Sequence, residues 1–70
     1  MYTKKMSDAF HKIKAPQNFG VLVMDSGNFI TIKINPEHIA NASEERKQEI
    51  AEYVLKVKST LEKFGAVVFI

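Results

Sequence analysis

The residues able to do chemistry in this 70-residue chain are few, and their spacing is unhelpful to it. His11 and His38 are the two histidines, and neither has a partner at the helical spacing that metal ligands need. The nearest carboxylates in sequence, Asp8 and Glu37, supply no acid/base pair with a third group to orient it. With no cysteine there is no disulfide, no thiolate metal site and no thiol nucleophile. The three glycines, at 20, 27 and 65, stand singly where a strand, a turn and a helix stop would want them, so no glycine-rich phosphate loop exists. The sequence therefore reads as non-enzymatic, with no metal and no cofactor expected.

What remains is charge and apolar surface. Residues 1–14 hold Lys4, Lys5, Lys12 and Lys14 against Asp8, a net +3, whereas residues 15–70 hold six cations against seven anions, a net −1. The chain's formal +2 thus belongs to its N-terminal segment. Those four lysines are the candidate phosphate contacts of a nucleic-acid-binding module. Against that reading stand a single arginine, Arg46, and the absence of tryptophan. No run of residues is long and apolar enough to suggest a membrane span or a secretion signal, so a cytoplasmic protein is expected and membrane binding is not.

The elements that must position these residues can be read from periodicity. One long segment organises the rest: Ile50, Val54, Val57, Leu61 and Phe64 recur at steps of four, three, four and three, one stripe down a helix over 44–64. Ser43 caps it, Glu44 and Glu45 suit its N-terminal dipole, and Gly65 stops it. A coiled-coil seam would show the same stripe, but Tyr53 widens it and a hairpin nearby needs a cover. Met6, Ala9, Phe10 and Ile13 make residues 1–15 a short basic amphipathic helix, either docked on the domain or left as an arm. Ala15-Pro16 ends it.

Residues 19–34 read as a β-hairpin around Asp25-Ser26-Gly27-Asn28. With Val23 placed opposite Ile30, one face collects Phe19, Val21, Val23, Ile30, Ile32 and Ile34, and the other Gly20, Leu22, Met24, Phe29, Thr31 and Lys33. Asn35-Pro36-Glu37 opens a short helical turn over 36–41. Residues 66–70 are wholly apolar and read as a last, interior strand.

The expectation is one α+β domain spanning 1–70, a small two-layer α/β fold of order α-β-β-α(short)-α(long)-β. Its three-stranded mixed sheet is expected in the order 2-1-3, the long helix packed on one face and the last strand parallel to the second. This element order resembles, in topology alone, the RNA-binding KH domain of prokaryotic type. Such domains clamp nucleic-acid backbone with a GXXG loop between two helices, where this chain has Ala40-Asn41-Ala42-Ser43.

A chain this short buries only roughly 60% of its unfolded surface, so a partner or a second copy would add stability. Leu22, Met24, Phe29 and Thr31 on the second sheet face, Leu55 off the helical stripe, and Phe10 are the candidate partner-binding residues. The functional expectation is a protein-protein interaction module, a small accessory or inhibitor protein of the sort phages and mobile elements carry, that docks on a larger protein or forms a homo-oligomer. The alternative is nucleic-acid binding through the basic N-terminal segment.

Overall fold

The computed structural model describes residues 2–70. Six elements follow one another: α1 (Lys4–His11), β1 (Leu22–Asp25), β2 (Ile30–Lys33), α2 (Glu37–Ala40), α3 (Glu44–Glu62) and β3 (Val68–Phe69). The element order and the α+β class are those expected from the sequence.

Local signals account for where the helices start and stop. Thr3 caps α1, its hydroxyl accepting the Met6 N–H at 3.2 Å while the Met6 sulfur accepts the Thr3 N–H at 3.4 Å. That is a capping box with a thioether where glutamate usually stands, and it fixes Met6 in a position to be buried. Ser43 caps α3 through the Arg46 N–H at 3.1 Å, with Glu44 and Glu45 in the first turn. Asn35 Oδ1 accepts the Glu37 N–H at 3.0 Å and opens the single turn of α2. Gly65 follows α3 with φ +84°, the left-handed exit that a side chain disfavours.

The hairpin closes on Gly27-Asn28. The Ser26 N–H donates to Phe29 O at 2.9 Å, and Gly27 alone of the two turn residues has positive φ, +88°, as the first position of a type II′ turn requires. Asp25 Oδ1 accepts the Gly27 N–H at 2.8 Å and its Oδ2 accepts the Tyr2 N–H at 3.0 Å. The register pairs Val23 with Ile32 and Asp25 with Ile30, not Val23 with Ile30. A slip of two residues keeps the side-chain parity, so the two faces hold the residues expected of them.

The sheet order is β1-β2-β3, with β1 antiparallel and β3 parallel to the central β2. The expected order 2-1-3, with the first strand central, is corrected. The crossover from β2 through α2 and α3 brings β3 back beside its parallel neighbour, the short connection that such units favour. Burial agrees with it: Ile30 and Ile32 of β2 are 0% and 2% exposed, whereas Val23 of β1 is only half-buried.

One core lies between sheet and helices. Met6, Phe19, Ile30, Ile32, Ile50, Tyr53, Val54, Val57, Leu61 and Val68 are buried together, and α1 packs on α3. The N-terminal helix is therefore docked, not an arm. Phe19 meets Tyr53 edge-on, ring centroids 6.2 Å apart at 87°. Phe64, assigned to the stripe from sequence, is 47% exposed because α3 ends at Glu62 and the chain turns away before completing the next step. Residues 66–70 are not wholly interior either: Val68 is buried, while Val67, Phe69 and Ile70 are exposed.

Candidate interaction surface

Both helical elements that make long contacts, α1 and α3, lie on the core side of the sheet, and α1 does not cross to the other. The outward-pointing residues of three strands are consequently uncovered. By register, Met24 of β1, Thr31 of β2 and Phe69 of β3 form one row across the sheet, and Leu22 stands opposite Lys33 in the row beside it. Phe29, at the hairpin end, meets Phe69 edge-on with centroids 5.4 Å apart at 81°. Val67, whose carbonyl accepts the Ile30 N–H at 2.8 Å, continues the patch along β3.

This face is apolar for a surface. Leu22, Met24, Phe29, Val67 and Phe69 are 62, 43, 38, 54 and 53% exposed, and Lys33 is the one charged side chain whose parity points out among them. Isolated exposed hydrophobic residues are unremarkable, but five that adjoin on a sheet face form a patch.

The structure brings together four of the six partner-binding residues expected from sequence, Leu22, Met24, Phe29 and Thr31. It separates the other two. Phe10 is half-buried against the core cluster on the α1 side, so its ring is packing rather than free surface. Leu55 is 60% exposed but lies on the helical side, where with Ile34, Ile39, Ala51 and Ile70 it borders a shallow groove of about 400 Å³. Two contributors to the sheet patch, Val67 and Phe69, escaped the sequence reading because the last strand was taken as interior. Strand parity holds the missing signal: if Val68 faces a one-sided core, its neighbours face out.

The four lysines lie at the two ends of α1. Lys4 and Lys5 sit in the first turn of α1 and Lys12 and Lys14 beyond its last, roughly 12 Å of helix apart. Lys14 shares a surface depression with Glu49, Glu52 and Lys56 of α3, two cations with two anions. The histidines are occupied locally: His11 Nδ1 lies 2.7 Å from Ser7 O, and His38 stacks near the edge of Phe19 at 6.0 Å. Among the described residues no three His, Cys, Asp or Glu side chains are grouped to hold a metal ion.

Among the described residues two ionisable groups depart from their ordinary behaviour. The N–H groups of Gly27 and then Tyr2, both donating to its carboxylate, hold the Asp25 pKa below the usual value. Burial raises that of the Tyr53 phenol. The Asp25 shift thus arises in the hairpin turn and the Tyr53 shift from its place in the core. Among the described residues no helix is long and apolar enough to cross a membrane. No family model matches the chain, and neither a curated protein nor a solved structure matches it either.

Proposed function

We propose that this chain is a non-enzymatic, cytoplasmic protein-interaction module that works through the outer face of its sheet, as an accessory or inhibitory subunit. One observation carries the reading: the sheet is covered by helices on one side only, while Leu22, Met24, Phe29, Val67 and Phe69 stay exposed together on the other. An antiparallel sheet commonly leaves one face in water, but that face is then polar. Here one lysine and one threonine stand among five apolar side chains.

The whole chain, its Leu55, Phe64 and Ile70 included, also exposes more surface than a compact monomer would. The chain exposes 5068 Å². A folded monomer of its mass, 7.9 kDa, is expected to expose about 4,400 Å². The excess is comparable to one side of a small protein-protein contact.

A photo-crosslinking residue tests it in the native cell. Placed at Met24 or Phe69 it should give discrete protein adducts, and placed at exposed Gln48 of α3 it should give none. Equal adduct yields from both positions would refute the assignment of the sheet face.

A further inference from the structure

Resting on the proposal that the outer sheet face is an interaction surface, we infer that its occupant is a second copy of this chain, packed face to face in an antiparallel two-fold dimer centred on Thr31. The face lacks what would select a different partner. Apart from Lys33 it carries no charge, and the row Met24, Thr31, Phe69 presents only a hydroxyl beyond its ladder-bonded backbone. Charge is what steers and discriminates heterologous partners. An uncharged apolar sheet face can pack on a copy of itself, since sheets stack about 10 Å apart with strands aligned within about 30°.

The position of Lys33 selects the orientation. Thr31 lies midway along β2 between Phe29 and Lys33, two residues from each. At about 3.3 Å per residue, each is roughly 7 Å from it along the strand. Strands running parallel across the interface would set lysine against lysine in a dehydrating contact. A two-fold axis at Thr31 with strands antiparallel carries Lys33 onto Phe29 of the partner subunit and leaves the two ammonium groups roughly 14 Å apart, beyond a Debye length at physiological salt. An ammonium over an aromatic face is an attractive contact, and Phe29 is already held by its edge-on meeting with Phe69.

The area predicts the strength. The five apolar side chains expose roughly 450 Å² per copy, so the dimer buries at most roughly 900 Å² in all, the size of a weak, transient contact. A reversible dimer with a dissociation constant of roughly tens to hundreds of micromolar is expected.

Sedimentation equilibrium on the full chain between about 10 μM and 1 mM, a range set to bracket that constant, reads the result directly. Met24→Glu and Leu22→Glu, both at exposed positions, should each raise the dissociation constant at least about tenfold with the circular dichroism of the fold retained. The orientation is tested by charge. Phe29→Glu should weaken the dimer less than Phe29→Lys, by several-fold, and the difference should vanish in a Lys33→Gln background. A folded monomer at 1 mM would overturn the homodimer while leaving a different protein partner for the same face. A dimer indifferent to both Met24→Glu and Leu22→Glu would overturn the homodimer and the use of this face together. An equal effect of Phe29→Glu and Phe29→Lys would overturn the antiparallel arrangement.

Discussion

Leu61 and Phe64 are adjacent members of the same helical stripe, and truncating each to alanine separates what the stripe suggests from what the fold does. Leu61 is 0% exposed in the shared core, whereas Phe64 is 47% exposed beyond the end of α3. Leu61→Ala removes buried methyl groups and leaves a cavity, which costs about 3 kcal/mol, within the 2–5 range of such changes. Phe64→Ala removes a ring that is already half in water and should cost about 1 kcal/mol or less. The difference is large for this chain, because 70 residues at about 0.05–0.15 kcal/mol each give only about 3.5–10 kcal/mol in total. The unfolding entropy of about 2.1 cal/mol/K per residue makes each kcal/mol worth about 7 °C. Leu61→Ala should therefore lower Tm by about 20 °C and Phe64→Ala by under about 7 °C. Urea titration followed by far-UV circular dichroism, at low micromolar concentration, provides the free energies independently. Equal losses at the two positions would refute the placement of the end of α3.

The glycines make a second test, since all three have open space where a Cβ would go and only two have positive φ, Gly27 at +88° and Gly65 at +84°. Gly27→Ala and Gly65→Ala should each cost about 1–2 kcal/mol from backbone conformation alone, and Gly20→Ala about nothing, as read by denaturant midpoints. Asp25 offers a third. Its carboxylate is stabilised by the Gly27 and Tyr2 N–H groups, so its folded pKa lies below the unfolded value. That contribution is complete above the unfolded pKa and disappears as pH falls through the folded one. Stability measured from pH 5 down to pH 2 should fall less steeply in Asp25→Asn than in the parent. An unchanged slope would show that the two N–H groups do not favour the charged form.

How much was legible in advance follows from the range of each interaction. Helix starts and stops were readable because Ser43, Asn35 and Gly65 act within four residues of themselves. The faces of the hairpin were readable because strand parity is a property of the chain, and it survived even a two-residue change of register. The patch residues Leu22, Met24, Phe29 and Thr31 were found on that ground. Val67 and Phe69 were not, since whether alternate residues of the last strand are buried depends on what covers its two sides.

From its sequence alone this protein is determined to be a cysteine-free α+β domain with a capped long helix, a two-faced hairpin and a basic N-terminal segment. Local hydrogen bonds and periodicity suffice for that. The tertiary structure decided that β2 is central, that α1 docks on the same side of the sheet as α3, and that Phe64 and Phe10 exchange roles, one leaving the core and the other flanking it. Each of these is settled by competition among distant segments for one limited core, and the surface left over by that competition is the outer sheet face on which the proposed function rests.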